Sequence, residues 1–249
     1  DLESQFLAFT PNIGYTFSNG DIIVGSSTTA RGTVTNYNDG RIFNFVISTA
    51  GDSYSGDFAL TIGAPDDTVN GVQAVATANV VNGSVTKVTI TNGGKGYYTQ
   101  PTVSVSPPGS GITAVIAAQI EARVSINIAN NIKFDAGDFI LDQGLVNEAT
   151  GTYSQSGTTI TITDNSHNLS NADLVYLDFT SGGAADGFYT ISLINSNQYS
   201  VTSASSGTNS GNVSRKRIID LSRVINTSAT NAANWTQLTS TNIDASNIV

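Results

Sequence analysis

An all-β fold, assembled from small antiparallel modules in series with little helix, is what this 249-residue sequence predicts. Apolar and polar residues alternate with a period of two along much of the chain. Glycine- and asparagine-containing turn signals separate the alternating runs, and helical periodicity is scarce. Each module is expected to be sandwich- or barrel-like.

Composition narrows the function classes. Only 12% of residues are charged, with 10 Lys plus Arg against 19 Asp plus Glu and a formal charge of −9. Neutralising phosphates takes clustered cations, so nucleic acid is not an expected partner. No run of about 18 apolar residues occurs, and no membrane insertion is expected. Zero cysteines exclude disulfides, thiolate metal sites and cysteine nucleophiles. Ser, Thr, Asn and Gly are left to cover the surface, as in many extracellular and virion β proteins. With no methionine, Asp1 reads as a processed end or, preferably, as the edge of a longer chain.

Along the chain, residues 1–29 form an N-terminal attachment segment. FLAFTPNIGYTFSNGDIIVG concentrates Phe6, Phe9, Tyr15 and Phe17 there, for packing under the next element or for holding a partner. Residues 30–123 read as two tandem β repeats, about 30–75 and 74–123. In the first, Asn38-Asp39-Gly40 stands between short alternating runs and predicts a hairpin. In the second, Asn82-Gly83 does the same, both residues tolerating the positive φ that a two-residue turn requires. Residues 124–157 are a connecting β segment, 158–214 a small β-barrel or sandwich, and 215–249 a C-terminal linker or docking segment. The one plausible helical turn is SATNAANW, 228–235.

The repeat rests on a constant offset. Gly40 and Gly83, Ile47 and Ile90, Gly51 and Gly94, Tyr54 and Tyr97, Leu60 and Val103, Ile62 and Val105, and Pro65 and Pro108 all stand 43 positions apart. Beyond the prolines Gly71-Val72-Gln73-Ala74 matches Gly111-Ile112-Thr113-Ala114 at an offset of 40. The first copy therefore carries a longer loop at Asp66–Asn70. Gly51, Tyr54, Pro65, Gly94, Gly96, Tyr97, Pro101 and Pro108 define the unit. Gly94 and Gly96 supply backbone angles closed to other residues, Tyr97 is expected to lay its ring on Pro101 with a wet hydroxyl, and Pro107-Pro108 stops a strand. GGKG is not a phosphate loop, because Gly-Tyr-Tyr-Thr-Gln-Pro follows it in place of a helix start.

GGKGYYTQPTVSVSPPGSGITAVIAA resembles the GxGYxxxPTVxxxxPxxxGxxAxAxA repeat of tail-fibre, baseplate and related structural proteins of tailed bacteriophages, cyanophages among them. GDSYSGDFALTIGAPDDTVNGVQAVATA is a more diverged copy, with Phe58 in the proline position and Asp52 and Ser53 in glycine-rich ones. Residues 158–214 are similar to the HGLSxGDxVYLDFTSG-type β module of the same proteins. His167, Leu169, Ser170, Asp173, Val175, Asp186, Gly187, Tyr189 and Tyr199 fall on its positions, while Asn168 and Ala172 stand where it has glycine. NWTQLTSTNIDASNIV is similar to stretches that precede fibre shaft or tip segments. The resemblance implies a virion structural protein, outside the host cell on a phage tail, that acts in assembly and host attachment. It implies a homo-oligomer, by family analogy a trimer, that meets other tail or baseplate proteins and a bacterial surface glycan.

Candidate chemistry is sparse. His167 follows Asp164 and precedes Asp173, yet no Gly-x-Ser-x-Gly elbow accompanies it, and a turn histidine bonded to a backbone carbonyl is the plainer reading. Asp135, Asp138 and Asp142, and the loop pair Asp66-Asp67, offer hard oxygen ligands for calcium, but without the spacing of a calcium loop; no cofactor is expected. Arg215, Lys216, Arg217 and Arg223 gather four of the ten cations. They read as a solvated strand end or, with Trp235, as a subunit-docking surface. The expectation is a non-enzymatic phage fibre component. The rival readings are a bacterial cell-surface adhesin and a polysaccharide-degrading tailspike.

Overall fold

The computed structural model describes residues 4–26, 30–141 and 146–227, and these contain no helix. The expected helical turn at 228–235, Trp235 and the NWTQLTSTNIDASNIV stretch lie outside the described residues. In chain order the strands are β1 (Ser4–Phe9), β2 (Ile22–Val24), β3 (Arg31–Thr49), β4 (Phe58–Ala59), β5 (Thr61–Ile62), β6 (Val75–Val81), β7 (Ser84–Asn92), β8 (Val103–Ser104) and β9 (Val115–Ile128). They continue with β10 (Phe139–Leu141), β11 (Asn147–Thr163), β12 (Leu174–Asp178), β13 (Gly187–Thr190), β14 (Ser192–Asn195), β15 (Gln198–Gly207), β16 (Ser210–Lys216), β17 (Ile218–Asp220) and β18 (Arg223–Thr227). The chain is all-β, and every strand pairing among the described residues is antiparallel.

Three apolar cores organise these strands. The first lies under the five-stranded sheet β18-β1-β9-β3-β2 and the β10-β17 pair, where Leu7, Phe9, Val34, Val124, Ile126, Ile140, Ile219 and others are buried. Of the N-terminal aromatics, Phe9 and Phe17 pack with Tyr15 and Tyr37, ring centroids 5.2–6.4 Å apart. Gln5 is fully buried in this core and satisfied there: Nε2 donates to the Phe134 carbonyl and Asn226 Oδ1, and Oε1 accepts from Phe134 N at 2.9 Å.

The second core belongs to the repeat, and its copies are exchanged. The later half of β3 pairs with β9, with Val46 opposite Ala117 and Ile47 opposite Ile116. The equivalent strand of the second copy, β7, pairs with β6, with Thr89 opposite Thr77 and Ile90 opposite Ala76. Each copy's hairpin-type strand thus takes the alanine-rich strand of the other copy. Both ladders bulge at corresponding places, between Ile42 and Asn44 in one and between Asn79 and Val80 in the other. β5 and β8 cross between the copies, with Thr61 opposite Ser104, a pair that the 43-residue offset maps onto itself. The block has pseudo-two-fold symmetry.

Tyrosine bonds fasten the exchange. The Ala114 amide donates to Tyr54 Oη at 2.9 Å and the Ala74 amide donates to Tyr97 Oη at 3.0 Å. Each bond joins the tyrosine of one copy to the alanine strand of the other. The Tyr97 hydroxyl also donates to the Gly63 carbonyl at 3.2 Å. Contrary to the expectation of a wet hydroxyl, Tyr97 is fully buried, because the exchanged strand closes over it.

The expected hairpin at Asn38-Asp39-Gly40 is corrected. β3 runs through these residues without turning, and none of the three has positive φ. β9 supplies a partner on both sides, so two residues of β3 face one of β9 in a bulge between Asn38 and Arg41. Gly40 serves close approach instead: a Cβ there would stand 2.2 Å from the Tyr97 carbonyl oxygen. The Asp39 carboxylate receives Gly96 N and the Tyr98 hydroxyl. At Asn82-Gly83 the turn forms as expected, with φ of 51° and 82°. It closes the end of the block that corresponds to the bulge, where β3 and β9 continue into the first sheet.

The third core lies within the six-stranded sheet β13-β12-β16-β11-β15-β14, around Ile160, Ile162, Leu177, Tyr199 and Val201. β11 pairs with β16 along its first part and with β15 along its second, with an irregularity after Gly157, whose φ is +63°. The strand coils so far that a Cβ on Gly151 would stand 2.1 Å from the Thr163 carbonyl oxygen. Glycine thus permits the curl at both the corner and the contact. Asn168 and Ala172, the departures from the resembling pattern, hold φ of 52° and 72°. They keep a glycine conformation without being glycine. Ala172→Gly is therefore expected to raise stability by about 1 kcal/mol, read as a shifted denaturant midpoint at unchanged m-value.

Candidate functional site

The four clustered cations of the sequence diverge in the structure. Arg215 and Lys216 are successive residues of one strand and leave it on opposite faces. Arg215 pairs with Asp164 at 2.9 Å and Glu148 at 2.5 Å, whereas Lys216 pairs with Asp178 at 2.9 Å and donates to Asn147 Oδ1. Arg217 turns back to the first core, donating to the Gly14 carbonyl and covering the Tyr15 ring at 5.0 Å. Arg223, on β18, pairs with Glu121 and lies over Phe43 at 4.6 Å. These described cations fasten elements of the chain to one another, and Trp235 lies outside the described residues.

His167 is a structural residue by geometry. Its Nε2 meets the Asn195 carbonyl oxygen at 2.8 Å, and its Nδ1 accepts the Leu169 amide at 3.0 Å. The second bond fixes the tautomer with the proton on Nε2. The ring stands edge-on to Tyr199, 5.2 Å between centroids. With both nitrogens occupied by backbone, the ring lacks a free position for a nucleophile or a metal.

The acidic candidates are likewise engaged with backbone. Asp66 accepts Tyr98 N at 2.7 Å, Thr99 N at 2.8 Å and the Thr99 hydroxyl at 2.8 Å. Hydrogen bonding, the Thr99 amide first, holds its carboxyl below the ordinary carboxylate value. Asp67 accepts Val69 N and Asn70 N, which lower its pKa in the same way, the Asn70 amide first. The longer loop of the first copy is therefore pinned by its own two carboxylates. Asp138 is buried and accepts Asp135 N at 2.9 Å, and Asp142 lies outside the described residues. Among the described residues no three His, Asp or Glu side chains gather as metal ligands.

A different site emerges where the first sheet passes into the repeat block. β18, β1 and β9 run side by side there, with Ala8 opposite both Arg223 and Arg123. Cross-strand partners share a sheet face, so Arg223, Ala8 and Arg123 form a row. Glu121 follows two residues before Arg123 on the same face, and Arg41 of β3 stands opposite Glu121. Three guanidinium groups thus surround one carboxylate.

This cluster is drawn out of water. Glu121 is 3% exposed; one of its oxygens pairs with Arg223, and the other, Oε1, is buried without a partner among the described residues. Arg41 Nε is buried in the same condition. Arg123 covers the Phe6 ring at 4.5 Å. Burial lowers the pKa of Arg123 to about 10, with the neighbouring Arg41 adding to the shift and Glu121 opposing it. Burial also lowers that of Arg41, again against the attraction of Glu121. The Arg123 guanidinium therefore remains charged at neutral pH. Beside the cluster opens a cleft of about 490 Å³ whose walls include Thr10, Phe43, Gln100, Glu121, Ser222 and Arg223.

No protein-family model matches the chain, and neither the curated proteins nor the solved structures contain a match. The site is therefore read from its own chemistry. Sequence reasoning named Arg223 but missed Arg41, Glu121 and Arg123. The available signal was Glu121-Ala122-Arg123: two charges at alternate positions of an otherwise apolar strand pattern, in a chain with only 12% charged residues.

Proposed function

We propose that this chain is a structural component of a bacteriophage virion, a tail fibre or baseplate-attached fibre that acts in assembly and host attachment. The observation that carries the reading is the exchanged repeat. Two copies of one unit are tied into a single block by two antiparallel ladders and two tyrosine bonds. β3 and β9 pass unbroken from that block into the neighbouring sheet. Such continuity suits a spacer that must transmit position without bending. The motif resemblance in both the repeat and the 158–214 module supports the same reading, as do the backbone-bound His167 and Asp66.

Under this reading the protein is non-enzymatic, works outside the host cell and assembles as a homotrimer with other tail proteins. Gold-labelled antibody raised against the 249-residue chain tests it on particles and cells from the culture of origin. Label on phage tails is the expected result. Label confined to the bacterial envelope would favour a cell-surface adhesin. Release of reducing ends from host capsule by the purified chain would favour a tailspike.

A further inference from the structure

We propose that the cleft between residues 53–58 and 106–110 receives an aspartate-led peptide loop of a partner protein. This inference stands on the repeat block alone and does not require the fibre reading. The pseudo-two-fold gives the block two equivalent seats for such a loop, and the chain fills one of them itself. There the 66–70 loop lies on residues 96–99. The Asp66 carboxylate accepts Tyr98 N at 2.7 Å, Thr99 N at 2.8 Å and the Thr99 hydroxyl at 2.8 Å, while Asp67 N donates to the Gly96 carbonyl at 3.0 Å. A Cβ on Gly96 would stand 2.7 Å from the Asp67 Cβ, so the loop rests directly on this backbone.

The other seat is open. Its backbone keeps the same form, with φ of +66° at Gly51 against +75° at Gly94, and +63° at Ser53 against +79° at Gly96. The 43-residue offset puts the Ser55 and Gly56 amides and the Ser53 carbonyl where the first seat has Tyr98 N, Thr99 N and the Gly96 carbonyl. None of these three groups has a hydrogen-bond partner among the described residues. Gly109 stands in place of Asp66 and the loop after it is three residues shorter, which leaves residues 53–56 facing a cleft of about 500 Å³. Tyr54 is accordingly half-buried where Tyr97 is fully buried. Phe58, stacked on Tyr54, and Pro107 and Pro108 give the cleft an apolar wall. Asp57 replaces Gln100 of the first seat, and its carboxylate accepts Val80 N and Asn79 Nδ2 of β6. That charge disfavours a bare carboxylate. The ligand must therefore be held by its backbone and apolar groups as well, as a peptide is. The chain's own aspartate loop is engaged in the first seat, which leaves the second for another protein.

An NMR titration of the isotope-labelled full chain with the peptide acetyl-APDDTVNG-amide, the sequence of residues 64–71, tests the assignment. The Ser55 and Gly56 amide signals are expected to shift, and those of Tyr98 and Thr99, already held by Asp66, to stay. The same peptide carrying Asp66→Asn should bind about tenfold more weakly, through loss of the charge-assisted bonds. Acetate should bind far more weakly than the native peptide. In the chain, Gly56→Thr should tighten the native peptide by about fivefold, because it supplies the hydroxyl donor that Thr99 gives the first seat. Gly56→Ala should leave the affinity unchanged. Both variants are expected to fold, since Gly56 lacks positive φ and a Cβ there meets open space. The proposal is overturned by unmoved Ser55 and Gly56 signals, by equal affinity for the Asp and Asn peptides, by acetate binding as tightly as the peptide, or by equal affinities in Gly56→Thr and Gly56→Ala.

Discussion

Gly94→Ala is expected to destabilise the protein by about 3–4 kcal/mol, from left-handed strain plus a backbone clash. Gly94 has φ of +75°, and a Cβ on it would stand 2.5 Å from the Val72 carbonyl oxygen, 2.7 Å from the Tyr97 ring and 3.0 Å from Ala74 N. Two of these contacts are backbone, so a side-chain rotamer cannot relieve them. Gly51, its pseudo-two-fold mate, has φ of +66° and would meet Ala114 N and the Ile112 carbonyl oxygen, both at 2.7 Å, and Gly51→Ala should cost a similar amount. Gly183 separates strain from clash: its φ is +86° with nothing near the added carbon. Gly183→Ala should cost only about 1 kcal/mol. Chemical denaturation of the three variants gives the comparison, and equal losses at Gly94 and Gly183 would remove the packing argument.

Tyr97→Phe should cost about 2 kcal/mol, because it strands the buried Ala74 amide, takes one donor from the Gly63 carbonyl and leaves the ring in place. The hydroxyl lies between the Ala74 amide and the Gly63 carbonyl, and Tyr97 is fully buried. Tyr54→Phe removes the mirror-related bond to Ala114 from a half-buried site whose ring stacks on Phe58 at 4.8 Å. Water can replace that hydroxyl, so this variant should lose less than about 1 kcal/mol. The inequality is what the structure adds to the symmetry. Amide exchange read in the same samples should quicken at Ala74 in Tyr97→Phe and at Ala114 in Tyr54→Phe.

The fold class and the period of the repeat were legible because both depend on local pattern. Turn chemistry at Asn82-Gly83 required positive φ at both residues, and the sequence supplied residues that accept it. The same kind of letters at Asn38-Asp39-Gly40 made a bulge, since the deciding factor was a partner strand some eighty residues away. Equal spacing shows that Tyr54 and Tyr97 are equivalent, but not which alanine strand each one meets. Strand exchange leaves no trace in periodicity. The arginine cluster was hidden for a related reason: Arg41, Glu121, Arg123 and Arg223 come from three strands far apart in the chain and meet only through sheet register. The Arg215–Arg217 run looked like one patch because sequence proximity does not display the alternation of strand faces.

Cross-linking tests the exchange of the repeats most directly, and the absence of native cysteine makes it unambiguous. Val46 and Ala117 are antiparallel partners on exposed positions, at a spacing that antiparallel pairs share with disulfides. In two independent tandem units Val46 would instead face Thr77, the counterpart of Ala117 in its own copy. The paired variants Val46→Cys with Ala117→Cys, and Val46→Cys with Thr77→Cys, are oxidised and mapped by mass spectrometry. A disulfide in the first and free thiols in the second is the predicted result; a disulfide in the second alone would contradict the exchanged block.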